Sequence, residues 1–220
     1  MKLIEKIAVL SITSALTWLM PVSSYAQADF EGIWNPSHPP RMGQPVPSDV
    51  RLTVEGQAEF DAFSPDKDPT LRCVMPGIPL GLVDPYPIEI VQQDHQVLFL
   101  YEHFHMVRRI FTDGREVPDH WLPSFMGYST GQWDGDTLVI RTTHMSPDNY
   151  TWTAGFPFSG DPEAYVIERY RRDGEELSFR GEVHDPRYYE EPYVVNGHWD
   201  FAPEGEIWEY ECIPEFGGIQ

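Results

Sequence analysis

The sequence predicts an all-β domain, an antiparallel barrel with a proline-rich N-terminal cover. Three observations lead there. From Ile88 onward, short stretches of alternating apolar and polar residues recur, and the turn pairs Asp113-Gly114, Asp134-Gly135, Asp173-Gly174 and Glu204-Gly205 separate several of them. Short strands between regular turns argue a sandwich or a barrel, and Asp-Gly between two apolar runs is a strong hairpin signal because a type I′ turn needs positive φ at both centres. Aromatic residues make up 14% of the chain, enough to supply large inward side chains. A closed barrel also removes exposed edges, and one of about eight strands holds a small ligand.

The elements follow in order. Lys2 and Lys6 form a basic start, Ile7 to Met20 is mostly apolar, and Ser24-Tyr25-Ala26 is a small-x-small site. This is the pattern of a secretory signal peptide over 1–26, and the run is short for a membrane span of ~20 apolar residues. The expected compartment is therefore the periplasm or the exterior, with no membrane insertion after cleavage. Residues 27–220 are expected as a single domain: a first strand and covering segment over 27–87, then the barrel over 88–220.

Asp29 to Trp34 opens the first strand with Gly32-Ile33-Trp34, and Gly-x-Trp recurs at Gly131-Gln132-Trp133 and Gly197-His198-Trp199. A Gly-x-Trp in a first strand is a common opening of lipocalin-like barrels, where the Trp closes the floor. Asn35 to Asp49 reads as an extended loop. Thr53 to Phe63 is the one helix candidate, with Thr53 as cap and Val54, Ala58 and Phe63 near one face; Gly56 weakens it. Ser64 to Pro87 carries Pro65, Pro69, Pro76, Pro79, Pro85 and Pro87, which forbid a regular element. An excursion this long between strands is expected to cover one barrel mouth. Strands are then expected at 88–92, 96–104, 106–112, 126–133, 136–144, 164–172, 176–184, 193–201 and 206–212.

The formal net charge is −20, and loss of Lys2, Glu5 and Lys6 would make it one unit more negative. Such a surface repels nucleic acid and anionic lipid. The two cysteines, Cys73 and Cys212, suggest a disulfide in an exported chain, and neither has a Cys-x-x-Cys neighbour.

Several segments resemble a family of exported bacterial proteins that carry a Trp-x-Gly-Asp-Thr-Leu-Val-Val segment and an Asp-Pro-x-x-Tyr segment. Here they are Arg109 to Arg115, Met126 to Thr143, Glu168 to Arg172 and His184 to Tyr189, within a likeness running from about Leu71 to Cys212. The resemblance implies export and an all-β, lipocalin-like fold, and assigns no reaction. His144 and Phe158 depart from the family pattern, which has a small residue and a His there.

Chemistry has several candidates. His103 and His105 lie two apart on an expected strand, so both imidazoles would project to one side, beside Arg109. With His144 or Glu168 they would suit a metal; nothing else in the pattern supports one, and neither metal nor cofactor is expected. Glu102 and Arg108 share the other face and need partners, which Glu168, Arg169 and Arg180 can supply. Glu102 or Glu168 then serves as general base, with Arg109 or Arg108 on an oxyanion and Tyr128 as hydrogen-bonding acid. Gly127-Tyr-Ser-Thr-Gly131 has the letters of a nucleophile elbow but no helix after it. Asn149-Tyr150-Thr151 has the letters of a glycosylation site. Trp133, His144, Trp152 and Trp199 are the expected lining. The first functional expectation is an exported barrel binding a small apolar or aromatic molecule inside. The alternatives are cofactor-free acid–base chemistry (isomerase, dehydratase or cyclase) or metal-dependent chemistry through His103 and His105.

Overall fold

Alternating burial along the strands closes nine of them into a barrel. In the computed structural model, residues 27–37, 50–64, 66, 68–149, 151–152 and 155–213 are described, 151–152 by their backbone alone. The expected leader over 1–26 and most of the expected extended loop, residues 38–49, lie outside them. The strands are β1 (Gly32–Pro36), β2 (Ile88–Gln93), β3 (Gln96–Tyr101), β4 (Val107–Phe111), β5 (Tyr128–Asp134) and β6 (Thr137–Thr143). A two-stranded ribbon follows, β7 (Thr151–Trp152) with β8 (Phe156–Pro157), and then β9 (Tyr165–Asp173), β10 (Glu176–His184) and β11 (Tyr193–Phe201). The spatial order is β1-β11-β10-β9-β6-β5-β4-β3-β2, with β2 closing on β1.

The barrel is mixed rather than wholly antiparallel. β4 and β5 run parallel through Ile110↔Ser129 and Phe111↔Thr130. The cause is the connection from Thr112 to Gly127, which returns along the outside of the barrel before β5 begins.

The turns sort by end. Asp134-Gly135 and Asp173-Gly174 are tight hairpins with Gly135 and Gly174 at φ 63° and 62°, the conformation that glycine adopts without strain. They lie at the end that also holds Phe30, Phe111 and Phe201. Here Trp34 Nε1 donates to the Phe30 carbonyl at 2.9 Å. The Arg172 guanidinium sits 5.0 Å from the Trp34 ring and 4.8 Å from the Phe201 ring, and donates to the Asp29 carbonyl at 2.7 Å. Trp133 packs on Phe30 with centroids 5.1 Å apart. Each Gly-x-Trp therefore puts a glycine and an inward Trp on one face. Glycine is needed at the third: a Cβ on Gly197 would stand 2.3 Å from Phe179 Cε1.

The opposite end carries the long connections. Helix α1 (Val54–Ala62) starts at Thr53, whose hydroxyl accepts from the Gly56 amide at 3.0 Å. Its packing face is not the one expected, since Val54 is 92% exposed. Contact runs through Gly56, where a Cβ would lie 2.1 Å from the Tyr188 carbonyl oxygen. The helix thus lies on the β10–β11 connection, with Arg187 donating to Glu55 at 2.7 and 2.8 Å. Residues 77–84 turn their apolar side chains to the barrel: Ile78 and Leu82 are fully buried, and a Cβ on Gly181 would meet Leu82 Cδ1 at 3.1 Å. The Asn149 amide donates to the Ile78 carbonyl and, at 3.3 Å, to that of Phe125, so this residue of the sequon is buried structure.

The strand expected over 206–212 is absent from the described residues. Its alternation is real, but β1 already pairs with both β2 and β11, so no edge is left for it. Cys212, at its far end, is joined to Cys73 with Cα atoms 5.7 Å apart.

Candidate functional site

Two polar clusters stand out, one in the barrel centre and one at the loop end.

The central cluster is built on Arg108, which points inward from β4 and is 1% exposed. Its two terminal nitrogens grip Glu168 of β9 at 2.8 and 2.5 Å. Its Nε donates to Ser129 at 3.1 Å and its second terminal nitrogen to Thr142 at 2.6 Å. The Tyr170 hydroxyl donates to Glu168 at 2.9 Å. Burial alone would lower the guanidinium pKa, but the adjoining Glu168 carboxylate overrides it and holds it above the ordinary value. Burial pushes Tyr101 up to about 12, against the opposing pull of the Arg108 charge. Tyr170 is raised well above the ordinary value, first by burial and then by Glu168. The Glu168 oxygens thus receive donors from Arg108 and Tyr170. The cluster is a satisfied keystone, and a ligand would have to break it to use it.

Around it the interior is lined by packed rings, edge-on to Phe99 and stacked on Phe179 and Trp199. Tyr170 lies 5.2 Å from Phe99, 5.8 Å from Phe179 and 6.0 Å from Trp199. Trp199 is 3% exposed, and its indole N–H has no hydrogen-bond partner among the described residues.

The second cluster forms where residues 84–87 enter β2 beside the β3–β4 connection. Asp84, almost fully buried, takes His103 Nδ1 at 2.7 Å, while its other oxygen accepts from the Tyr86 amide at 3.1 Å. The Tyr86 ring stacks on the imidazole at 4.6 Å and 23°. Phe104 and Tyr210 meet it edge-on at 4.5 and 4.9 Å. Burial raises the Tyr210 pKa, assisted by Tyr86 and Asp84. Asp84 also acts on Tyr101, which links this cluster to the central one.

The backbone here corrects the sequence reading. β3 ends at Tyr101, and His103–His105 is a 3₁₀ turn with Phe104 and His105 at φ 56° and 50°. Two hairpin strands need residues to turn with, and Glu102 to His105 supply them, closed by the Tyr101 amide on the Met106 carbonyl at 2.9 Å. The two histidines therefore diverge. His103 joins Asp84, whereas His105 Nε2 accepts from the Tyr210 amide at 2.9 Å. Glu102, expected on one face with Arg108, parts from it and accepts from the Trp208 amide at 3.0 Å. These two side chains stand in for a neighbouring strand and hold the extended C-terminal segment. Among the described residues no three His, Cys, Asp or Glu side chains form a metal-holding group, so the pairing of His103 with His105 as ligands does not form.

Other expected residues sort as follows. Arg109 is exposed, and Arg108 is the inward member of that pair. Tyr128 points out of the barrel against Trp121 at 4.8 Å, with its hydroxyl donating to the Glu116 carbonyl at 3.3 Å. Ser129 belongs to the Arg108 cluster and is followed by strand, not helix. His144 is exposed at φ 56°, against Thr143. Of the expected lining, Trp133 and Trp199 face in; the Trp152 side chain lies outside the described residues. Asp84, Tyr86 and Tyr210 were not anticipated. The signal for the first two was Asp84-Pro85-Tyr86-Pro87, where prolines fix an acid and a ring immediately before a strand. No protein-family model and no curated protein sequence matches this chain.

Proposed function

We infer that the protein is an exported, lipocalin-like barrel that binds a small aromatic or apolar molecule at its loop end, with residues 77–87 and the C-terminal segment as cover. The observation that carries this reading is the ring-walled imidazole: His103 is fixed through Nδ1 by buried Asp84, flanked by Tyr86, Phe104 and Tyr210, and left with Nε2 for a second partner. Rings supply flat apolar contact, and one oriented polar group fixes direction, which is the usual make-up of a small-molecule site. Phe104 and His105 support it too. Two successive non-glycine residues in the left-handed region cost about 1–3 kcal/mol each, and such strain concentrates at ligand sites. Export is supported by the leader pattern, the family resemblance and the disulfide. Titration with 1-phenylpropan-2-one, followed by NMR, tests the site. Saturable shifts are expected at residues 84–86, 102–105 and 208–210. Shifts confined to the barrel centre, or none at millimolar probe, would refute it.

A further inference from the structure

The geometry points to a proton-transfer centre at the loop end, in which His103 Nε2 is the base, Tyr210 the acid and Asp84 the positioning residue, acting on small aryl-substituted carbonyl compounds. It rests on the binding site just proposed and adds a reaction to it.

The argument begins with the imidazole. A histidine that moves protons needs one nitrogen fixed and the other presented to substrate, and a carboxylate on Nδ1 does both. Asp84 meets this requirement at 2.7 Å, and is itself held by the Tyr86 amide at 3.1 Å. An acid is needed opposite the base, where charge develops on oxygen. Tyr210 lies edge-on to the imidazole at 4.9 Å and to Tyr86 at 5.4 Å, so its phenol shares the site. A phenol of ordinary pKa is protonated at neutral pH and so is a donor, and partial burial shifts it further in that direction.

The chain goes to some length to put Tyr210 there. Among the described residues, the extended segment carrying it pairs with no strand. It hangs on the Glu102 carboxylate through the Trp208 amide, on His105 through its own amide, and on Cys73 through Cys212 two residues later. Glu102 and His105 thus serve the reaction indirectly, as the hooks that hold the acid in place.

The step balances without any co-reactant. His103 Nε2 takes a proton from the carbon next to the carbonyl. The C–H electron pair becomes the enolate, whose oxygen is stabilised by the Tyr210 hydroxyl. The imidazolium then returns a proton to the same carbon, giving exchange, or to a conjugated one, giving isomerisation. The ring walls select an aryl substituent.

Exchange of the α-protons of 1-phenylpropan-2-one in D₂O, read by ¹H NMR, tests this on the full-length oxidised protein. The expected rate exceeds that of equimolar free imidazole by ~10²–10⁴-fold. His103→Asn abolishes the enhancement. Tyr210→Phe, which keeps the ring and its packing, lowers it at least tenfold while the probe's dissociation constant stays within twofold. Asp84→Asn lowers the maximal rate with saturation unchanged, as loss of orientation requires. Groups facing His103 that would shape the pH profile are Asp84, Tyr86 and Tyr210, with Glu102 and His105 on the same turn. Binding without enhanced exchange overturns the reaction and leaves the binding site standing, whereas absence of binding removes both. Full exchange by folded His103→Asn or Tyr210→Phe protein overturns the roles assigned here.

Discussion

Glu168→Gln isolates the central keystone. The two carboxylate oxygens accept from both terminal nitrogens of Arg108, at 2.5 and 2.8 Å, and one accepts from Tyr170 as well, at 2.9 Å. An amide of the same shape keeps one acceptor and turns the other into a donor. Either flip then sets N–H against N–H or O–H, and the charge of Arg108 is left uncompensated at 1% exposure. Removing one partner of a buried pair costs about 3–5 kcal/mol, out of a total stability of roughly 5–15 kcal/mol. At about 2–4 °C per kcal/mol for a domain of this size, melting should fall by about 6–20 °C. Circular dichroism melts and urea titration measure both quantities. The double variant Arg108→Met with Glu168→Leu, which removes the charges together, should recover most of the loss. A Glu168→Gln protein melting within about 2 °C of the parent would refute the reasoning, because an unpaired guanidinium cannot be buried so cheaply.

Two further outcomes follow from the same packing. Tyr101 ionises at about 12 in the folded chain against 10.0 in the open one, so its contribution is complete below pH 10 and is lost as pH rises from 10 to 12. At ~1.4 kcal/mol per unit the loss approaches ~2.7 kcal/mol, and Tyr170 adds to it in the same direction. Urea unfolding at pH 9 and pH 11, with tyrosinate absorbance at each, reads the effect; equal stability at both would count against it. Gly56→Ala should destabilise although alanine is the better helix former by about 1 kcal/mol, because the new Cβ would lie 2.1 Å from the Tyr188 carbonyl oxygen. Lower thermal stability by about 1–3 kcal/mol is the expected reading, and a more stable variant contradicts the contact.

Strand positions were largely legible. β10 and β11 coincide with their expected ranges, and most others differ by a residue or two at the ends. Burial period and Asp-Gly turns are local signals, and the barrel obeys them. Site geometry was less legible because it depends on pairing across turns. Counted as one continuous zigzag, Arg108 falls with Leu98 and Leu100. In the hairpin, Arg108 sits opposite Phe99, and the turn residues 102–105 have swapped the faces. The turn therefore parts Arg108 from Glu102, which the zigzag count puts on one face, while the expected pairing of Arg108 with Glu168 forms. The C-terminal alternation failed for a different reason: closure of β1 on β11 and β2 is a property of the whole sheet, invisible in a seven-residue window. Asp84 and Tyr210 were missed because their partner, His103, is distant along the chain.

The bond between Cys73 and Cys212 spans 139 positions, and every barrel strand except β1 lies within that span. The molecule is in this sense a covalent hoop with one loose stave. A protease nick in an exposed stretch such as 113–116 would leave both fragments tethered until a reductant is added. β1 lies outside the hoop, held among the described residues by ladder bonds to β2 and β11 and by the Trp34 anchor, and is the strand that can leave the barrel without cutting.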